Sequence, residues 1–150
     1  LLAAMGPDEL TPEEEGTLRA WATELREELS LLGASTFPVD QLEMPPSGKP
    51  TIDGYDVGFQ SSASDIIRLR WAYALSLLRT SVLREGRHAG LVMMDEPRQQ
   101  EVESLSELLA LASGSGGQVI LTTSEPVDSI TAMLAQANSS SQSVLSLLRG

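Results

Sequence analysis

The chain has 150 residues, 41% of them hydrophobic, enough for one apolar core and too few for two ordinary domains. Its formal charge of -11 argues against its gripping nucleic acid by itself, because non-specific affinity comes from lysine and arginine neutralising phosphates. No apolar run nears the roughly 18 residues that cross a bilayer, and with no cysteine a disulfide-stapled extracellular fold is excluded too, so we expect no membrane partner and a cytoplasmic setting.

The opening Leu1-Leu2-Ala3-Ala4-Met5-Gly6 lacks the basic and apolar regions of a signal peptide and reads as a cut. Thr11-Pro12-Glu13-Glu14 is a helix start, with Thr11 as N-cap, proline at the first helical position and Glu14 closing a capping box. Leu18, Trp21, Ala22, Leu25, Leu29 and Leu32 follow at helical spacing until Gly33, predicting an amphipathic helix of about six turns. Its acids Glu13, Glu14, Glu15, Glu24, Glu27 and Glu28 read as a solvated face. Residues 34–58, broken by Pro38, Pro45, Pro46 and Pro50, suit brief strands and turns.

Ser61-Ser62-Ala63-Ser64-Asp65 offers capping side chains before a helix that is apolar on most sides from Ile66 to Leu83 and should therefore be central. After the turn-like Glu85 to Gly90, the run Leu91-Val92-Met93-Met94 predicts a buried parallel strand whose carboxyl end carries Asp95 and Glu96. Val102 to Ala112 reads as a further amphipathic helix closed by Ser113-Gly114-Ser115-Gly116-Gly117, and Gln118 to Thr123 as a second apolar strand. A shorter helix from Pro126 to about Ala137, a polar break, and a last apolar piece from Val144 to Leu148 complete the chain. Strand, helix, strand, helix in this order predicts an α/β fold with parallel strands flanked by helices.

A carboxylate at the carboxyl end of a parallel strand stands where open α/β sheets bind ligands, which makes Asp95 and Glu96 candidates. In nucleotide hydrolases such an aspartate holds Mg²⁺ and the next acid orients or deprotonates the attacking water. The alternative is a hydrophilic strand end turned by Pro97. The serine-rich start of the central helix combines free amides, the helix dipole and hydroxyls, an anion site in which Ser62 and Ser64 could donate to phosphate; here the alternative is plain N-capping. Trp71, Tyr73, Met93 and Met94 read as core, and the single histidine, His88, as a loop residue.

Ser62-Ala63-Ser64-Asp65-Ile66-Ile67-Arg68-Leu69-Arg70-Trp71-Ala72-Tyr73-Ala74-Leu75 resembles the signature of ABC-type ATPases, with Arg68, Ala72, Ala74 and Leu75 in register. Leu91 to Glu96 resembles Walker B, and Gln118 to Thr123 the strand that leads to the switch residue. The run Asp95-Glu96-Pro97-Arg98-Gln99-Gln100 looks most like bacterial SMC-like, chromosome-repair-type ATPases with coiled-coil arms. The resemblance covers about residues 58–125.

It implies a fold, the C-terminal lobe of an ABC-type P-loop ATPase head at 37–150, preceded by an N-terminal helix at 1–36 that would be the stub of a coiled-coil arm. It also implies a mechanism shared between subunits. Ser61, Ser62, Ala63, Ser64 and Asp65 would contact the γ-phosphate of ATP held by a partner head. Asp95 would bind Mg²⁺ and Glu96 would be catalytic in cis, Thr123 would stand at the switch position, and Arg98, Gln99 and Gln100 would form the D-loop at the dimer interface.

The chain has no Gly-x-x-x-x-Gly-Lys-Ser/Thr, and Ser47-Gly48-Lys49-Pro50-Thr51 is not one, since proline follows its lysine. The resemblance therefore implies an upstream P-loop half of the same protein as partner, an ATP-held homodimer, and DNA bound through other parts of the assembly, in DNA repair, chromosome maintenance or defence against foreign DNA. Two departures stand out. Ala63 and Ser64 replace the signature glycines, and Thr123 or Ser124 replaces the switch histidine, so neither can bring a positive charge to a leaving phosphate. The alternatives are a degenerate lobe that dimerises or recruits partners without turnover, and an unrelated acidic α/β interaction module whose motifs are coincidental.

Overall fold

Thr11 starts the first helix as its chemistry demands: its hydroxyl accepts the Glu14 amide at 3.2 Å while the Glu14 carboxylate takes the Thr11 amide at 2.7 Å. The computed structural model describes residues 10–59, 61–95, 102–122 and 126–136. Helix α1 (Pro12–Leu31) ends at Gly33, whose φ of 74° lies in the left-handed region that glycine reaches without strain. Single 3₁₀ turns follow at Val39–Gln41 and Val57–Phe59. Between them lies a short hairpin of β1 (Thr51–Ile52) and β2 (Tyr55–Asp56). Its two-residue loop, Asp53-Gly54, has positive φ at both positions, matching the twist of the flanking strands.

Helix α2 (Ala63–Leu83) is central as expected, packing against α1, strand β3 (Leu91–Asp95) and helix α3 (Val102–Gly114). Strand β4 (Gln118–Thr122) pairs parallel to β3 in the register Leu91↔Gln118 to Asp95↔Thr122, and helix α4 (Val127–Gln136) packs on α3. The result is a mixed α/β arrangement with four helices and two small two-stranded sheets among the described residues. No helix among them is long and apolar enough to cross a membrane. The last apolar piece, Val144 to Leu148, lies outside the described residues.

The apolar core spans position 36: Trp21, Leu25, Leu29 and Leu32 of α1 share it with Phe37, Leu42, Trp71, Leu75 and Leu108. Two expectations change. The acidic face of α1 is not wholly solvated, because Glu28 is only 2% exposed. Helical phase explains this, since residue 28 falls on the side of Trp21, Leu25 and Leu29. Finally, β3 is covered on one face only. Val92 and Met94 are buried, whereas Leu91 and Met93 are exposed, Met93 at 69%, beside an exposed Ile120 on β4. Met93 is therefore not core here, and the parallel pair presents an open apolar face, which is unusual for a sheet type normally covered on both sides.

Candidate functional site

The start of α2 is built by side chains that satisfy its free amides. Ser62 is the N-cap, in extended conformation, and its Oγ accepts the Asp65 amide at 3.1 Å. Ser61 Oγ donates to the Val57 carbonyl at 2.6 Å, which ties it to the preceding 3₁₀ turn. Ala63 is exposed and Ser64 half-buried in the first turn. Ser61, Ser62, Ala63 and Ser64 thus lie together at one helix terminus, where the dipole favours an anion.

Asp65 departs from the sequence reading. Its residue is fully buried, and its carboxylate faces the chain behind the helix rather than a ligand. Oδ2 accepts the Ser35 amide at 2.9 Å, the Thr36 amide at 2.7 Å and the Thr36 hydroxyl at 2.7 Å, while Oδ1 pairs with Arg68 Nη1 at 2.7 Å. Burial alone would raise its pKa, but the Thr36 and Ser35 donors and Arg68 outweigh it and hold the group at about 2. Asp65 is a permanent anion whose acceptor capacity is spent inside the protein, so it is not available to bind a nucleotide directly.

Asp95 ends β3 in an exposed position and receives the Thr122 hydroxyl from the directly paired residue of β4. The parallel register therefore sets two oxygen-bearing side chains side by side at the carboxyl edge of the sheet, where α/β folds bind ligands. Among the described residues no three histidine, aspartate or glutamate side chains gather into a metal cage. A single strand-end carboxylate nevertheless suits Mg²⁺, which keeps most of its waters and takes few protein ligands beside phosphate. Glu96, Arg98, Gln99, Gln100 and Thr123 lie outside the described residues.

Other sequence candidates resolve as structural. Gly48, with φ of 70°, forms a turn in which its amide bonds the Pro45 carbonyl and its own carbonyl accepts the Tyr73 hydroxyl at 2.9 Å. That Gly-Lys pair precedes no helix. His88 Nδ1 accepts the Gly90 amide at 3.1 Å and serves the loop before β3.

Two groups escaped the sequence reading. Thr36 carries no motif, and only the contact with Asp65 reveals it. A polar cluster also sits between α1 and the far end of α2 from Ser62: Arg79 Nε lies 3.0 Å from Glu24 Oε2 off the hydrogen-bond line, and Glu28 Oε2 and Thr80 Oγ1 are buried without hydrogen-bond partners. Burial pushes the Glu28 carboxyl up to about 8 against the opposing pull of Arg79. A groove of about 560 Å³ lined by Ala20, Glu24, Thr80, Leu83, Arg84 and Glu85 opens beside it. The helical phase of residues 21, 25, 28 and 29 was the signal that could have found Glu28.

No model of a known protein family matches the chain, and no curated protein sequence is significantly similar to it.

Proposed function

We propose that this chain is the C-terminal lobe of an SMC-like, ABC-type ATPase head that dimerises around ATP. The observation that carries this reading is a juxtaposition: a serine-capped helix, α2, packs on the parallel strand that ends in Asp95, in the chain order of a signature helix and a Walker B strand. In this reading the Ser62 hydroxyl meets the γ-phosphate of ATP held by a partner head, with Ser61, Ala63 and Ser64 shaping the approach. Asp95 would hold Mg²⁺, and Glu96 would handle the attacking water in cis. Arg98 to Gln100 cross the interface, and Thr123 stands at the switch position.

Magnesium supplies charge neutralisation of the phosphates when bound; the residues of this chain position the nucleotide and exclude competing water. The open face of β3 and β4 supports a P-loop-bearing half of the same protein as the covering partner, because apolar side chains such as Met93 gain by leaving water. With its acidic balance, the lobe leaves DNA to other parts of the assembly. Helix α1 would continue upstream towards a coiled-coil arm, and the assembly would work in the cytoplasm in DNA repair, chromosome maintenance or defence against foreign DNA.

The test is ATP turnover and ATP-dependent dimerisation of the full-length protein. Glu96→Gln should stop turnover and trap the ATP-bound dimer, and Ser62→Arg should abolish dimerisation. An intact protein that neither binds ATP nor changes oligomeric state with it is not an ABC-type ATPase. A second reading, a lobe that dimerises without turnover, rests on the absence of histidine at Thr123 and Ser124. Turnover that collapses in Glu96→Gln rules it out.

A further inference from the structure

Ser62 is held at two points by a closed ring of hydrogen bonds. Its amide donates to Thr36 Oγ1 at 3.1 Å, the Thr36 hydroxyl donates to Asp65 Oδ2 at 2.7 Å, and the Asp65 amide returns to Ser62 Oγ at 3.1 Å. Thr36 is exposed at the surface, yet its hydroxyl turns inward to serve as both acceptor and donor in this ring. We propose that Thr36 and Asp65 are positioning residues for the Ser62 hydroxyl, fixing its direction and removing negative charge from its path. The inference rests on the nucleotide-sandwich reading given above.

The direction follows from valence. A serine hydroxyl has one proton and two lone pairs. With one lone pair committed to the Asp65 amide, the proton is left to donate away from the helix, towards an acceptor arriving at its terminus. The Ser62 amide, which could otherwise compete for the same acceptor, is consumed by Thr36. Without Thr36 that amide loses its partner, and the cap loses one of the two bonds that hold its backbone.

Charge removal follows from the environment of Asp65. An aspartate in the first turn favours the helix dipole but would repel an approaching phosphate. Here its carboxylate points inward, receives three donors from Ser35 and Thr36, and is neutralised by Arg68. The terminus presents hydroxyls and dipole rather than an anion. Because Ser35 and Thr36 lie just beyond the end of α1, the same bonds make the placement of Ser62 depend on where α1 ends.

The experiment uses the full-length protein and four variants, with ATP and Mg²⁺ as the probe: Thr36→Val, Thr36→Ser, Thr36→Cys and Ser62→Arg. Thr36→Val should weaken ATP-dependent dimerisation about tenfold, the effect of leaving one amide unpaired, and lower kcat while ATP affinity of the monomeric head stays unchanged. Thr36→Ser should restore dimerisation. Thr36→Cys, with a weaker donor and acceptor, should fall between and serves in place of Thr36→Val if valine prevents folding. A thermal midpoint for each variant separates unfolding from misplacement. Dimerisation of folded Thr36→Val equal to wild type, or Thr36→Ser as weak as Thr36→Val, overturns the inference while leaving the sandwich reading intact if Ser62→Arg still abolishes dimerisation. Unchanged dimerisation in Ser62→Arg overturns both.

Discussion

Trp21 Nε1 donates to Ser76 Oγ at 3.1 Å, joining α1 to α2 by a buried polar bond inside an apolar interface. The same indole ring stands 4.9 Å from the ring of Tyr73 at a 58° tilt, and Ser76 is itself fully buried. The bond therefore fixes how the two long helices lie against each other, because a shift along either axis would strand an indole N–H away from water. Replacing Ser76 by alanine should cost about 1–3 kcal/mol, the desolvation cost of that unpaired donor. A urea double-mutant cycle with Trp21→Phe checks it, and a coupling energy indistinguishable from zero would contradict the bond.

Glu28 should make the fold less stable as pH rises. Burial, reinforced by Glu24 and Glu27 and opposed by Arg79, sets its carboxyl at about 8 against an ordinary value of 4.5. Between those values the unfolded chain holds fewer protons than the folded one, so stability falls from pH 4.5 to 8 and flattens on either side. Glu28→Gln, which cannot ionise, should gain on the order of a few kcal/mol relative to wild type at pH 8 and little at pH 5. Urea midpoints of both proteins at pH 5, 6.5 and 8 measure this, and parallel slopes would refute it.

Gly117 marks where the parallel pair meets α2. A methyl group there would lie 2.6 Å from Leu78 Cδ1 and 2.9 Å from the Gly90 carbonyl oxygen, at the point where the Gln118 amide bonds Gly90 at 2.8 Å. Gly117→Ala should cost about 1–3 kcal/mol by forcing the strand start away from the helix. Thermal unfolding of the variant tests this, and an unchanged midpoint would show that the junction can relax.

Met93 separates the fold of this chain from the assembly proposed for it. With its side chain in water, Met93→Lys should alter the stability of the 150-residue chain by no more than about 0.5 kcal/mol. In the full-length protein the same change should disrupt the covered sheet face and reduce ATP binding. A full-length Met93→Lys protein that binds ATP normally would leave that face without the proposed partner.

The readable part of the site was its position along the chain. Serines at 61, 62 and 64 before an apolar helix, and Asp95 after an apolar run, locate a helix terminus and a strand end from local chemistry alone. Their roles divided only in space. Ser62 caps as its residue type suggests, but Asp65 faces Ser35 and Thr36, some thirty positions earlier in the chain, a pairing that no local pattern encodes. Glu28 was hidden by composition, since it sits in a run of acids that includes the exposed Glu13, Glu14, Glu15 and Glu27.

Periodicity and capping residues were sufficient to locate the helices and the parallel pair, because each depends on neighbours within a few positions. Which carboxylates enter the interior, which apolar strand face stays in water, and which residue twenty-six positions earlier would hold the capping serine of α2 depended on tertiary packing. Those outcomes come from contacts between segments distant in sequence, where burial and hydrogen-bond partners are shared among elements rather than carried by any one of them.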